Sequence, residues 1–426
     1  MMRCYVTARE DISMKKSAST VKTRKIGKIL LQVFGLILAI LIILGAVYHR
    51  QLVALYRAVT LFEPGPITEN FRSMGDMFES RVIHHGDAVF PFRHDMKKLP
   101  VNYRFEGKTL NIEKFLNRTD TTGIIVVKDD IILYENYYRG NTDTSRAIAW
   151  SVSKSFVSAL FGIAIHEGFI KDIMQPVTNY VPYLKGSGYD GVPVKHVLQM
   201  SSGIRFNEDY ADFNSDINRM GRAFALNTSM DEFVSSLKSE RKSGEYNHYV
   251  SMDTQVLGMI LRETTGKTLS QYTEEKLWKP LGMESDALWL IDGKGMELAF
   301  GGLNAVLRDY ARFGRLYLKR GNWNGRQIVP EAWVKASLTP DAPHLVPGKR
   351  DSSSWVLGYG YQWWIPENPD SDFLAIGIYG QAIYIYPKYN IVIARTSAYR
   401  DYNKDGDAME IESIEMYRAI AKSMGK

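Results

Sequence analysis

The longest uninterrupted apolar stretch runs from Ile29 to Tyr48: 20 residues without a charge, in which Gln32 is the one clearly polar position. A helix of that length spans about 30 Å, the thickness of a bilayer's hydrocarbon core. The run is longer than the ~7–15-residue apolar core of a cleaved leader, and the exit Gly45-Ala46-Val47-Tyr48-His49 offers no good A-x-A site. The pattern predicts a transmembrane anchor at residues 29–48. Residues 49–100 then mix short apolar pieces with Pro64-Gly65-Pro66, His84-His85 and Pro91, and read as a stalk leading into the fold.

From Gly123 the pattern becomes regular. Gly123–Val127 and Ile131–Tyr138 are apolar, β-branched runs split by Lys128-Asp129-Asp130, which predicts a β-hairpin. A second hairpin is predicted from Ala382–Tyr386 and Ile391–Thr396, split by Pro387-Lys388-Tyr389-Asn390. Between them the apolar spacing turns helical. Val152–Glu167 carries Phe156, Ala159, Leu160 and Ile163 on one stripe and stops at Gly168. Similar stripes fall at about 252–263, 269–277 and 305–318, and Ala408–Ala421 closes the chain as an amphipathic helix. Strands at both ends with helices between them predict an α/β (α+β) domain over 101–426. Its antiparallel sheet is built from distant segments and flanked by helices, with a mostly helical subdomain.

Charge sharpens the reading of the N-terminus. The chain of 426 residues has a net charge of +6, and residues 1–28 alone carry eight basic against two acidic side chains. The other 398 residues are balanced, so no basic face is predicted for nucleic acid. A basic tail at 1–28 ahead of the apolar run places the N-terminus in the cytoplasm and the remaining chain outside, in a periplasm or an equivalent compartment. Cys4 is the single cysteine, so no intrachain disulfide and no Cys-rich zinc site can form.

Two motifs offer chemistry. Ser151-Val152-Ser153-Lys154 is one of six S-x-x-K strings, the others starting at Ser13, Ser19, Ser235, Ser239 and Ser423. Only this one follows Ala149-Trp150 and opens an apolar helix. Residues i and i+3 share a helix face, so the Lys154 amine can reach the Ser151 hydroxyl. Burial lowers a lysine pKa toward the range of a base. The second motif, Tyr249-Val250-Ser251, precedes a helix and could supply a phenol and a hydroxyl; a tyrosinate there could relay a proton. Asp401-Tyr402-Asn403-Lys404-Asp405-Gly406 with Glu412 has the spacing of a calcium loop, but the residues before Asp401 read as a strand, and a solvated acidic turn is the better reading.

Six boxes come in a familiar order: Ser151-x-x-Lys154; Val197 to Ile204; Tyr249-x-Ser251; Pro280-Leu281-Gly282-Met283; Gly301-Gly302 with Arg308 to Gly314; and Gly377-x-x-Gly380-Gln381. Together they resemble the class C β-lactamase-like serine hydrolases, a superfamily of penicillin-binding proteins, esterases and 6-aminohexanoate-dimer hydrolases. Trp150-Ser151, Tyr-x-Ser in place of Tyr-x-Asn, and Gly377-Ile378-Tyr379-Gly380-Gln381 look most like the last of these. The resemblance covers roughly 120–400.

The resemblance implies that Ser151 is the acylated nucleophile and that Lys154 and Tyr249 handle its proton. It implies an oxyanion hole from the backbone N–H groups of Ser151 and Ile378, with Tyr210, Ser251 and Gly377 against the substrate. It implies a small amide or ester substrate and no cofactor. The family's Lys/His-Thr/Ser-Gly box is Ala375-Ile376-Gly377 here. That departure speaks against β-lactam chemistry, unless another basic residue such as Arg395 on the adjacent strand holds the substrate carboxylate. The rival reading is a non-hydrolytic sensor or cell-wall-peptide-binding module of the penicillin-binding type, which shares the same boxes and differs in deacylation.

Overall fold

The computed structural model describes residues 3–367, 370–402, 404 and 406–425, with side chains from Lys22 onward except at 23, 24, 50, 51 and 54. Residues 1–56 and 57–426 are separate compact units. One helix, Arg3–Thr60, accounts for all the described residues of the first. Within its stretch Lys25–His49 an 18-residue window reaches a mean hydropathy of 2.9 and is unburied, with Leu30, Phe34 and Leu41 all exposed. By length and composition it can cross a membrane.

The second unit is organised around an eight-stranded sheet. In spatial order the strands are Gly358–Tyr359, Trp364–Ile365, Phe373–Gly377, Gln381–Tyr386, Ile391–Ser397, Thr121–Lys128, Ile131–Tyr137 and Arg93–His94. Both expected hairpins are present, and they adjoin each other. Ile391–Ser397 pairs antiparallel with Thr121–Lys128, Ile393 opposite Val126, so chain ends some 270 residues apart form the sheet centre. Within this sheet, among the described residues, the short Arg93–His94 strand alone pairs in parallel.

Side chains alternate between the two faces, as the two-residue period of a strand requires. Ile125, Val127, Ile383, Val392 and Ala394 enter one core with helix Leu307–Leu318. Ile124, Val126, Tyr384, Ile391 and Ile393 enter the other with the C-terminal helix Ala408–Met424. Gly314 lets the first helix sit close to the sheet, since a Cβ there would lie 2.5 Å from Val392 Cγ1. Ser153–His166 and Ser251–Thr265 are the long helices of the helical part. Phe156 stacks on Phe313 at 3.6 Å between centroids, and burying such a ring is worth about 1.5–3 kcal/mol.

Three expectations are revised. The stripe at 269–277 is helix over Leu269–Thr273 and then a π turn, Glu274–Trp278. The stripe at 305–318 starts as a strand, Leu303–Val306, and becomes helix at Leu307. The stretch read as a stalk joins the folded unit from Arg57 onward: Leu61, Ile67, Phe71 and Met74 are buried, and Ser80–Ile83 pairs with Ala287–Leu290. Those two strands belong to a second sheet completed by Leu303–Val306 and Arg146–Ile148. Four-residue pieces carry too little periodicity to reveal partners two hundred residues away.

Candidate active site

Ser151 stands on a single 3-10 turn, Trp150–Val152, which leads straight into helix Ser153–His166. The preceding strand Arg146–Ile148 delivers the turn, and Ala149 N–H bonds Leu303 O at 2.7 Å. Lys154 lies one helical turn on and is 1% exposed. Its Nζ is 2.8 Å from Ser151 Oγ, 2.8 Å from Phe300 O and 3.3 Å from Ser251 Oγ. Burial lowers the Lys154 pKa from 10.5 to about 7, against the opposing charges of Glu208 and Asp253.

Ser251 opens helix Ser251–Thr265 and is fully buried. Its hydroxyl donates to Glu208 Oε1 at 2.5 Å, and its N–H donates to Glu208 Oε2 at 3.0 Å. Tyr210 OH donates to the same Oε1 at 2.9 Å. Glu208 lies in a segment singled out for Tyr210, yet nothing in its spacing marked it. The Phe300 carbonyl was equally invisible, because a backbone acceptor has no residue-type signature.

Tyr249 lines the same cleft as Ser151. Its ring stacks on Trp364 at 5.5 Å, and Lys154 Nζ stands 5.0 Å from the ring centroid. Burial and then the charge of Glu208 push the phenol well above its ordinary pKa. A resting tyrosinate is therefore disfavoured, and Tyr249 is a protonated phenol that can donate.

Across the cleft, strand Phe373–Gly377 ends against the nucleophile turn. A Cβ on Gly377 would lie 2.5 Å from Ala149 O, so glycine is required for the approach that brings Ile378 beside Ser151. Trp150 and Tyr379, the neighbours of those two residues, sit at φ 45° and 61°. Such backbone costs a bulky residue about 1–3 kcal/mol and persists only where packing enforces it.

Ser151, Tyr210, Tyr249, Ile376 and Ile378 line one cleft of about 190 Å³, together with Glu208, Trp355, Trp364, Tyr402 and Glu410. Lys154 and Ser251 lie beneath its floor. Ile376 faces the cleft, and Ala375 is buried in the core behind it. Arg395 does not line this cleft: it is 2% exposed and donates to Thr119 Oγ1 at 2.7 Å and Thr121 Oγ1 at 3.1 Å. The acidic loop leaves Asp401 exposed and turns its C-terminal end inward. Glu412 accepts from Tyr103 and Arg118, and burial raises the Glu410 carboxyl to about 8. Asn403 and Asp405, central to the calcium spacing, lie outside the described residues.

A family model described as beta-lactamase matches residues 111–414. The chain belongs to the beta-lactamase family. It is 34% identical over 339 residues to the 6-aminohexanoate-dimer hydrolase of Paenarthrobacter ureafaciens, covering 78% of this chain and 85% of that one. Among solved structures, a Bacillus anthracis protein named for 6-aminohexanoate-dimer hydrolase superposes with a TM-score of 0.77 at 23% identity, over 85% of this chain and 96% of that one. A penicillin-binding protein homologue from Pyrococcus abyssi has the same fold, with a TM-score of 0.55 at 21% identity over 74% and 76% of the two chains. The fold is β-lactamase-like, and the protein is a hydrolase of this superfamily.

Proposed function

We propose that this protein is a membrane-anchored serine hydrolase that cleaves an amide or ester through a covalent acyl-enzyme. The observation that carries the reading is the Lys154 amine, buried without a carboxylate in direct contact and 2.8 Å from Ser151 Oγ. With a pKa near 7, a large fraction of it is neutral under ordinary conditions.

In this reading neutral Lys154 takes the Ser151 proton as Oγ attacks the substrate carbonyl carbon. The carbonyl oxygen becomes an oxyanion held by the N–H groups of Ser151 and Ile378, each worth ~3–4 kcal/mol in such a role. Tyr249 gives its phenol proton to the departing amine or alcohol and is recharged from the Lys154 ammonium. The acyl group is then on Ser151, and the proton balance is restored. A water molecule entering the cleft attacks the ester carbonyl, its proton passing to the Lys154–Tyr249 pair, which returns it to Ser151 Oγ as the acyl C–Oγ bond breaks and the acid leaves.

The cleft's side chains favour a neutral scissile region. Ile376 occupies the wall where the family's third box stands, and the lining holds Glu208, Glu410 and His248 but no lysine or arginine. The relative's name supports a small linear amide. For the anchor, support comes from the 20-residue apolar run Ile29–Tyr48 and the basic tail before it. The test is a fluorophosphonate label followed by peptide mapping and a substrate chase. Labelling on Ser151 that substrate delays, with steady turnover of p-nitrophenyl butyrate, is the expected result. Stoichiometric acylation by substrate with no turnover would favour the sensor reading.

A further inference from the structure

Four aromatic rings meet behind the candidate oxyanion hole. Trp150 and Tyr379 come from the two sides of the cleft, Phe62 and Phe71 from the segment that follows helix Arg3–Thr60. All six pairs are in contact. Phe62 stacks on Tyr379 at 5.1 Å and 16°, and lies 5.8 Å from Trp150. Phe71 meets Trp150 edge-on at 5.4 Å and Tyr379 at 5.2 Å. The two phenylalanines are 6.3 Å apart, and Trp150 and Tyr379 are 5.9 Å apart.

Both clamped residues hold strained backbone. Trp150 precedes Ser151 and Tyr379 follows Ile378, and both hold left-handed backbone that relaxes unless the side chain is pinned. The peptide unit between Trp150 and Ser151 carries one oxyanion N–H, so rotation at Trp150 re-aims it. Release of Tyr379 frees the short turn Ile378–Gly380 that carries the other. The segment is itself tied down: Asn70 Nδ2 donates to Leu61 O at 3.0 Å, and Arg72 Nη1 donates to Arg139 O at 2.9 Å.

We propose that Phe62 and Phe71 are positioning residues of the oxyanion hole, so that the segment entering the catalytic unit sets the rate of acyl transfer without touching substrate. The inference rests on the reading of Ser151 and Ile378 as the oxyanion donors.

The experiment uses the full chain in detergent, with Phe62→Ala, Phe71→Ala, Phe62→Tyr and Ser151→Ala beside the parent. Turnover of p-nitrophenyl butyrate is expressed per active site, counted from the end-point of fluorophosphonate labelling, so misfolded molecules drop out. Displacements of an ångström at reacting groups cost up to ~100-fold, so kcat should fall about 10- to 100-fold in either alanine variant while KM moves less than about 3-fold. A butylboronic acid, whose tetrahedral adduct places an oxygen in the hole, should lose affinity by the same factor as kcat/KM. Phe62→Tyr, which keeps the ring, should restore most of kcat. If both alanine variants keep the parental kcat per titrated site and the parental boronate affinity, the inference is overturned. Phe62 is only half-buried, so Phe62→Ala carries the test even where Phe71→Ala fails to fold. If Ser151→Ala keeps its turnover, the underlying site reading fails instead.

Discussion

Lys154 Nζ and Ser251 Oγ stand 3.3 Å apart, and the serine's one proton is committed to Glu208. Ser251 can therefore only accept from the lysine, as can the Phe300 carbonyl. A neutral amine has two N–H donors and one lone pair. With both donors so engaged, the lone pair is left for Ser151, 2.8 Å away. Glu208 thus orients the base through a hydroxyl without meeting it.

Ser151→Ala should abolish fluorophosphonate labelling and nearly all ester turnover with little change in melting temperature, since one exposed-side hydroxyl is lost. Lys154→Ala should be about as severe. The double variant should be no worse than either, because residues that act as a unit are not additive. Steady-state kinetics on the three variants checks this, and an additive double variant would refute the pairing.

The pH profile follows from Lys154. Its lowered pKa makes it protonated, and unable to accept, at pH values below about 7. The kcat/KM for p-nitrophenyl butyrate should therefore rise with pH through about 7 and level off above it. The Glu208 charge raises the Lys154 pKa, so Glu208→Gln should move this limb to lower pH. It should also lower the plateau by roughly 10- to 150-fold, the usual worth of a hydrogen bond to a charged group. A limb that stays in place would mean that another group titrates.

Tyr249→Phe keeps the ring against Trp364 and removes only the hydroxyl. Turnover should drop by ~10²–10⁴-fold, the worth of a positioned acid–base group. Its phenol pKa is pushed up, so no deprotonation of Tyr249 should appear near neutrality; ultraviolet difference titration of wild type against Tyr249→Phe reads this directly.

The wall at Ile376 predicts weak β-lactam recognition. A charge-assisted hydrogen bond is worth ~1.5–3 kcal/mol, so its absence should cost roughly 10- to 150-fold in affinity for a penicillin-type carboxylate. Nitrocefin should be turned over with a lower kcat/KM than p-nitrophenyl acetate or butyrate. The reverse order would require a cation in the cleft, a role Arg395 cannot fill from its buried position among Thr119 and Thr121.

For the proposed topology, a phosphatase reporter fused after residue 100 should be active and the protein should sediment with membranes. Activity confined to cytoplasmic reporters would refute the orientation. A shortened, soluble mature chain would refute the anchor.

What the amino-acid sequence alone determined is local. The Ser151–Lys154 pair follows from two residues three apart at the start of an apolar helix, because helix geometry puts them on one face. The two hairpins and the apolar span follow from alternation and length, and these do not depend on distant partners. The remainder was decided by tertiary contact. Glu208 reaches Ser251 across 43 positions, and the Phe300 carbonyl reaches Lys154 across 146. Phe62 and Phe71 looked like stray apolar residues in a stalk until the fold set them against Trp150 and Tyr379, 79 to 317 positions away. Tyr249 had the right identity, but burial and the neighbouring carboxylate decided its protonation state. Backbone carbonyls, single carboxylates and lone rings have no period to read. Their roles come from where the sheet and helices bring them, and from how far that packing excludes water.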